Sequence, residues 1–190
     1  MSKYGHRPLD WFEAVINKLG GERGAERFLR GELVVTDPAH SCHSWREESG
    51  VIYFSVTSDG ATGEEWITRL EGKGLRVTEY AKQVLRSEDF RPTSGVKTEI
   101  AVLMAMLFID NDRITKTIRA EADKRKLTKP SAEVACLIRE KFTDEEIKAM
   151  GLVWIVVMHE SINDSGGGPS ILGVSRYDVG RCLRAHYGRP

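Results

Sequence analysis

The stretch VIYFSVTSDGATGEEWI, from Val51 to Ile67, changes from one type of secondary structure to another within a few residues. VIYFSVT is rich in β-branched and aromatic residues, which is typical of a strand. SDGATG has the composition of a loop, and Thr62 and Glu65 have the spacing of a helix capping box. The sequence therefore predicts a strand that ends at Thr57 and a helix that begins after Thr62.

A glycine-containing loop between a strand and a helix is a common place to bind an anion. Free backbone N–H groups and the helix dipole both point at such a loop. Here the lysine of GxxxxGK[ST] and the spacing of GxGxxG are both absent. Glu64 and Glu65 also place two carboxylates in the first helical turn, where they would repel an anion. We therefore interpret the loop as a capped helix start.

Upstream of this stretch, apolar residues at helical spacing predict a helix over Leu9–Leu19. Gly20 and Gly21 end it, and Glu22–Arg30 forms a second helix, so that the pair makes a helical hairpin. Trp45–Thr57 contains a turn between two strand-like segments and predicts a small β-hairpin. Beyond the capped helix, the sequence predicts a short helix over Glu79–Arg86 and a connector over residues 90–95.

The second half of the chain begins with predicted helices. Lys97–Phe108 is apolar almost all round, as expected of a central buried helix. Further helices are predicted over Arg113–Lys126 and Ser131–Phe142, and Thr143 and Glu146 match a second capping box. These helices together form the predicted central helical layer.

The C-terminal part predicts strands. The continuous β-branched run Leu152–Met158 predicts a buried strand, and Ile171–Val174 and Arg181–Tyr187 predict two more, which together make an antiparallel β-meander. The expected fold class is α+β, with the helical hairpin, the β-hairpin, the helical layer and the meander in that order. We expect a single domain over residues 1–190, with the only candidate boundary near residues 91–96.

Composition narrows the classes of function. The chain has 190 residues, with 28 basic and 28 acidic side chains, so no global electric field attracts nucleic acid or membrane. Three widely spaced cysteines without a CxxC motif favour reduced thiols, and no signal-peptide core is visible. The longest apolar run, residues 100–109, is about half of a membrane span. We expect a cytoplasmic protein without membrane association.

The densest group of potential metal ligands is His40, Cys42 and His43. Imidazole and thiolate groups suit zinc, but a structural site usually needs a second pair of ligands at a distance. The other cysteines, Cys136 and Cys182, stand alone. An exposed polar loop with an incidental cysteine explains the cluster, so we predict no metal and no cofactor.

The region from Asn111 to Lys129 is locally basic, with four more positive than negative side chains. Such a helix could lie along phosphates, and no aromatic residue is present to stack on bases. Ile114, Ile118, Ala122 and Leu127 are expected to face the core. A solvated outer face is the alternative explanation. The candidate nucleic-acid-binding residues are Arg113, Lys116, Arg119, Lys124, Arg125 and Lys126.

His159 and Glu160 follow the predicted Leu152–Met158 strand, and Asp164 lies in the glycine-rich loop after them. A histidine beside carboxylates at a strand end could act as a general base. GxSxG is absent, and HExxH fails because Asn163 occupies the position of the second histidine. Most His-Glu pairs at strand ends are structural, so catalysis by these residues is the alternative hypothesis.

Three blocks together resemble a family of small bacterial hypothetical proteins without a known activity. The blocks are SVTSDGATGEEWITRL, DNDRITKTIRAEADKRKLTKPSAEVACLIREKF and LVWIVVMHESI. The resemblance covers most of the chain after Trp45 and implies a bacterial, cytoplasmic protein. It implies no activity, cofactor or site residue.

The leading hypothesis for function is a non-enzymatic binding or accessory protein that contacts a protein partner or a nucleic acid. The alternative is a small hydrolase-like enzyme that uses His159 and Glu160, with Asp164 as a third participant. The first predicts salt-dependent binding through the basic residues. The second predicts a concave pocket with convergent polar groups beside His159.

Overall fold

A computed structural model describes residues 13, 15–17, 19–32, 44–176 and 182–187 of the chain. The chain divides into two compact units, residues 1–43 and residues 44–190. The predicted single domain over residues 1–190, with a candidate boundary near residues 91–96, stays a prediction.

In the first unit, helix α1 spans Glu22–Leu29, which confirms the second helix of the predicted hairpin. Residues 13 and 15–17 are also helical, and the rest of the first helix lies outside the described residues except Leu19. Gly24 is required by close packing, because a Cβ there would lie 1.7 Å from the carbonyl oxygen of Leu19. The turn and α1 therefore pack backbone against backbone.

The second unit begins with a three-stranded antiparallel sheet, which we call the first sheet. Strand β1 (Trp45–Glu48) pairs with β2 (Val51–Asp59), and β2 pairs on its other side with β4 (Ser94–Leu103). Ser49 and Gly50 both have positive φ, 51° and 75°, which is the conformation of a two-residue type I′ hairpin turn. The predicted β-hairpin is thus confirmed.

The prediction of a buried helix over Lys97–Phe108 is wrong, because the segment up to Leu103 belongs to β4. Every second residue, Ile100, Val102 and Met104, packs on the core, and Ile100 and Val102 lie opposite Phe54 and Ile52. The residues of this segment are mostly apolar, but those that pack on the core are two positions apart, as in a strand, and not 3.6 positions apart, as in a helix. After β4 the chain makes two short 3₁₀ turns, at Ala105–Leu107 and Asp110–Asp112.

Two helices of this unit begin at their predicted capping boxes, while the helices predicted to start at Arg113 and Ser131 begin at Thr115 and Val134 without a side-chain cap. Thr62 accepts a hydrogen bond from the Glu65 N–H, and the Glu65 carboxylate accepts one from the Thr62 N–H, so the first capping box is confirmed. Thr143 and Glu146 make the same pair of bonds. The helices are α2 (Gly63–Gly72), α3 (Glu79–Arg86), α4 (Thr115–Lys124), α5 (Val134–Lys141) and α6 (Asp144–Ala149).

A second sheet contains most of the C-terminal strands. Strands β5 (Trp154–Val156) and β6 (Ile162–Asn163) pair with the same edge of β7 (Pro169–Ser175). On the other edge β7 pairs with β8 (Cys182–Tyr187), and all of these pairings are antiparallel. Strand β3 (Arg76–Val77) adds a short parallel pairing to β8 that the sequence does not predict. The α+β fold class is confirmed.

The core of the second unit surrounds helix α5, which packs against strands of both sheets. Residues 134–139 of this helix are all buried. Complete burial raises the pKa of the Cys136 thiol, which keeps it protonated and unreactive at neutral pH. Each large apolar side chain in this core contributes about 1.5–3 kcal/mol by leaving water.

Candidate functional site

The loop before helix α2 uses its polar groups internally. The Asp59 carboxylate accepts hydrogen bonds from the Ala61 N–H at 3.1 Å and from Arg69 at 2.6 Å, and these contacts lower the pKa of Asp59. A Cβ at Gly63 would lie 1.8 Å from the Leu85 carbonyl oxygen, so this glycine is required by packing. The interpretation of the loop as a capped helix start is confirmed.

Two surface clefts flank the start and the end of this region. One, of about 230 Å³, lies where the Lys141 ammonium donates to the Ser55 carbonyl oxygen at 2.6 Å. The other, of about 490 Å³, lies beside the ion pair of Glu64 and Arg86 at 2.5 Å. In both clefts the charged groups already have partners within the protein.

His159 lies in the break between β5 and β6, with an exposed fraction of 1%. Its Nε2 accepts a hydrogen bond from the Leu172 N–H at 2.8 Å, so the proton of the neutral ring is on Nδ1. Nδ1 then donates to the Glu160 carbonyl oxygen at 2.6 Å. Burial is the main cause that lowers the pKa of His159. The His159 ring thus supplies the hydrogen-bond acceptor for β7 at the point where neither β5 nor β6 pairs with it.

The side chains of Glu160 and Asp164 have other partners. Glu160 is exposed and forms an ion pair with Lys129 at 2.5 Å, which lowers the pKa of its carboxyl group. Asp164 accepts hydrogen bonds from the Gly166 and Gly168 N–H groups at 2.9 and 2.8 Å, so it closes its own loop. A general base needs a free nitrogen or oxygen, and His159 has no free ring nitrogen. The geometry gives the enzyme hypothesis no support.

The basic side chains around α4, which we call the basic segment (residues 113–129), are only partly neutralised. Glu121 pairs with Arg125 at 2.7 Å and with Lys124 at 3.7 Å. Lys116 and Lys126 are exposed and make no ion pair with any residue in the described part of the chain. Lys129, at the end of the segment, pairs with Glu160, so the structure brings the basic segment to the edge of the second sheet.

The apolar side of the basic segment packs less deeply than the sequence predicts. No residue of α4 is buried. The expectation that Ile114 faces the core is wrong, because its exposed fraction is 55%. Ile118, Ala122 and Leu127 are half-buried. Helix α4 is therefore held at the surface, with most of its basic side chains accessible to solvent.

The candidate zinc ligands His40, Cys42 and His43, for which we predict no metal, lie outside the described residues. Within the described ranges, no group of three or more histidine, cysteine, aspartate or glutamate side chains is placed to hold a metal ion. No described helix is both long and apolar enough to cross a lipid bilayer.

A buried polar cluster that the sequence does not predict joins the first sheet to helix α5. Glu133 is buried and accepts hydrogen bonds from the Thr93 N–H at 2.9 Å and from the Thr93 hydroxyl at 2.5 Å. Ser58, also buried, accepts a hydrogen bond from the Val96 N–H at 3.1 Å. All of these groups have partners, so the cluster is part of the architecture.

A different cluster lies on the side of the second sheet that faces away from the core, which we call the outer face. Its members alternate along the strands with the core residues and come from all four main strands. They are Arg76 on β3, Trp154 and Val156 on β5, Ile171, Gly173 and Ser175 on β7, and Cys182, Arg184 and His186 on β8.

The centre of the outer face is an aromatic pair that lies on the backbone of β7. The rings of Trp154 and His186 are 4.2 Å apart at an angle of 51°. A Cβ at Gly173 would lie 2.8 Å from Trp154 Nε1 and 3.2 Å from His186 Nε2. The absence of a side chain at Gly173 therefore allows both rings to rest on the strand. The exposed fraction of Trp154 is still 39%.

Several buried polar atoms of the outer face make no hydrogen bond with any residue that the structure describes. They are the Ser175 hydroxyl oxygen, Arg184 Nε and His186 Nε2. Burial first, and the nearby Arg184 charge second, lower the pKa of His186. The five strands of the second sheet contain no aspartate or glutamate that could pair with Arg184. The outer face thus combines unused hydrogen-bonding groups with uncompensated positive charge.

The sequence indicates this face only weakly, through the alternation of residues in β5 and β8, because most of the residues concerned are apolar. The run Leu152–Met158 predicts a strand buried on both sides, but the strand is Trp154–Val156, with Trp154 and Val156 on the outer face and Ile155 in the core. In β8 the letters CLRAHY alternate, with Arg184 and His186 on one side. Which strands lie next to each other depends on long-range pairing, and so the cluster itself is not visible in the sequence.

The chain matches no protein-family model, no curated protein and no solved structure with which it was compared. The resemblance to a family of small bacterial proteins therefore stays a prediction.

Proposed function

We propose that this chain is a non-enzymatic binding protein that contacts nucleic acid through the basic segment. The observation that carries the proposal is the state of Lys116 and Lys126, which are exposed and lack an ion pair with any described residue. An unpaired ammonium group can approach a phosphate without first breaking a contact within the protein. Each such contact releases condensed counterions, which is the main source of sequence-independent affinity.

The other cations of the segment support this contact at lower strength. Lys124 and Arg125 share Glu121, and Lys129 shares Glu160, so part of their charge is already neutralised. Because of this partial neutralisation, we expect affinity to depend less on salt than the number of positive side chains in the segment would predict. For a duplex, each neutralised phosphate contributes a slope of about −0.9 in a plot of log affinity against log salt.

Lys116 and Lys126 also make the sharpest test. Reversal of charge at Lys124 or Arg125 would leave Glu121 without its partner and change two interactions at once. The double variant K116E/K126E changes only unpaired charges. We expect it to weaken binding of duplex DNA equally for different sequences, and to reduce the size of the salt slope by about 2.

The matched control is K97E/K148E, which makes the same change in net charge at two exposed lysines elsewhere on the second unit. Binding is measured by fluorescence anisotropy between about 50 and 200 mM salt, the range over which phosphate contacts dominate. Salt-insensitive or absent binding of both DNA and RNA by the wild-type chain would refute the proposal. An equal loss in the control would refute the assignment to the basic segment.

A further inference from the structure

We propose that the outer face of the second sheet binds the unpaired bases of a single-stranded nucleic acid. The inference rests on the proposed function and deepens it, because it separates a site for bases from the basic segment that contacts phosphates. The aromatic pair and the charge of the face support it.

The aromatic pair provides a stacking surface. Single-stranded nucleic acids bind to exposed aromatic side chains on sheets, because every base has a π-face that stacks without regard to sequence. Trp154 retains an exposed fraction of 39% although its ring rests on Gly173 and against His186. Contact with the strand and with a second ring fixes the indole, so that little conformational entropy is lost when a base stacks on it.

Three polar atoms of the face, Ser175 Oγ, Arg184 Nε and His186 Nε2, are buried and have no hydrogen bond with any described residue. A ligand cannot reach these buried atoms directly. The Arg184 side chain as a whole is only half-buried, so it is the polar group of the face that a nucleic acid can contact.

The charge of the face selects an anionic ligand. Arg184 lies directly opposite Gly173 in the β7–β8 pairing, and Arg76 lies beside Cys182 in the β3–β8 pairing. No carboxylate occurs in any of the five strands. A protein partner could meet the aromatic rings, but a nucleic acid meets the rings and the uncompensated arginines together.

The basic segment is attached to the edge of the same sheet. The Lys129–Glu160 ion pair joins the end of that segment to the loop between β5 and β6.

The experiment compares a fluorescent oligo(dT) of about 16 nucleotides, the upper end of known site sizes for one small domain, with a DNA duplex. We expect W154A to lower the affinity for oligo(dT) about tenfold or more, since the loss of one stacked base typically has this size. W154F keeps an aromatic ring and should lose less. R184Q should weaken oligo(dT) binding and reduce the size of its salt slope by about 0.7.

Two glycine variants make a matched test that removes no functional group. In G173A the new methyl group displaces Trp154 and His186, so we expect weaker oligo(dT) binding and unchanged duplex binding. In G72A the methyl group enters open space on helix α2, and binding of both probes should stay the same. Thermal unfolding of each variant shows that the chain remains folded.

The outcomes separate this inference from the proposed function. Wild-type affinity for oligo(dT) in W154A, R184Q and G173A would overturn the inference, while K116E/K126E could still lose duplex binding. No binding of either probe by the wild-type chain would overturn both. A concentration-dependent dimer that W154A dissociates in sedimentation experiments would also overturn it, because the face would then belong to a second copy of the chain.

Discussion

The two sheets of this protein differ in whether the arginine on the outward face has a partner. On the first sheet, Arg46 lies over the Tyr53 ring at 4.6 Å and donates to the Glu99 carboxylate at 2.8 Å. On the second sheet, Arg184 lies near the Trp154–His186 pair without a hydrogen bond at its buried Nε. Both faces combine an arginine with aromatic rings, but only the first supplies a counterion.

The two sheets also differ in how completely their backbone groups pair. Strands β2 and β4 pair over their whole length, with one irregularity between Thr57 and Asp59. The β5–β6 edge of the second sheet is interrupted, and the buried ring of His159 takes the place of a backbone acceptor for Leu172. The backbone of the first sheet pairs along the length of β2 and β4, whereas the second sheet uses the His159 ring for one backbone hydrogen bond. Three buried side-chain atoms of the second sheet, on Ser175, Arg184 and His186, have no hydrogen bond with any described residue. This difference is the reason to expect function on the second sheet.

The largest effect on stability should come from removing the histidine that completes the second sheet. H159A leaves the Leu172 N–H buried without an acceptor, at a cost of about 1–3 kcal/mol, and adds the cost of a cavity. We expect a total loss of about 3–5 kcal/mol in the free energy of unfolding, measured by urea denaturation. H159Q can place an amide oxygen near the position of Nε2, so it should recover part of the loss.

The matched variant on the first sheet is R46A, which removes an exposed ion pair. Such pairs contribute about 0–1 kcal/mol, so R46A should be several times less damaging than H159A. Equal stability of H159A and the wild-type chain would show that the ring does not complete the second sheet. It would also return His159 to the set of groups free to act on a substrate.

Two buried serines give the next largest effect, with opposite signs. Ser58 on the first sheet accepts a hydrogen bond from the Val96 N–H and shares another with the Thr93 hydroxyl at 2.8 Å, and S58A should cost about 1–3 kcal/mol. Ser175 on the second sheet has a buried hydroxyl without a partner. S175A should therefore be neutral or stabilise the chain by about 1 kcal/mol.

The change in melting temperature of the two serine variants checks this prediction directly, since both replace the same group at a similar depth. A destabilising S175A would mean that its hydroxyl has a partner in solution. In that case the contrast between the two sheets would be lost at this position. If S175A is more stable but binds oligo(dT) more weakly, the wild-type serine lowers stability and supports binding.

The parts of the fold that local sequence determines could be predicted. Capping boxes depend on residues three positions apart, and so Thr62–Glu65 and Thr143–Glu146 are visible in the sequence. The prediction of a helix over residues 97–103 failed because a continuous apolar run fits both a buried helix and a buried strand. Its role as a strand depends on pairing with β2, which lies about 40 residues earlier.

The candidate site could be predicted only in part for the same physical reason. The basic segment is local, and its charges stand together in the sequence. Its neutralisation by Glu160 is a contact across 31 positions, which the sequence does not show. The outer face needs the register of β7 against β8 and of β5 against β7 before Trp154, Gly173 and His186 meet.

The smallest expected effect is a dependence of stability on pH that belongs to the second sheet alone. No histidine occurs in β1, β2 or β4, while His159 and His186 are both partly or fully buried in the second sheet. Burial lowers the pKa of both rings below the ordinary histidine value of about 6.5. The folded chain therefore holds these rings neutral at pH values where the unfolded chain protonates them.

For such groups the stabilising contribution is complete above about pH 6.5 and is lost as the pH falls toward the lowered pKa values. Glutamates with lowered pKa values, such as Glu65 and Glu121, lose their contributions only below about pH 4.3. We thus expect unfolding free energy to decline between these limits, and to decline less in H186Q. The ring of His159, followed by NMR, should become protonated at a lower pH in the folded chain than in the unfolded chain, because burial lowers its pKa and protonation at Nε2 would remove the acceptor of the Leu172 N–H. Protonation of His159 at or above pH 6.5 in the folded chain would contradict the buried hydrogen bond on which the contrast between the sheets depends.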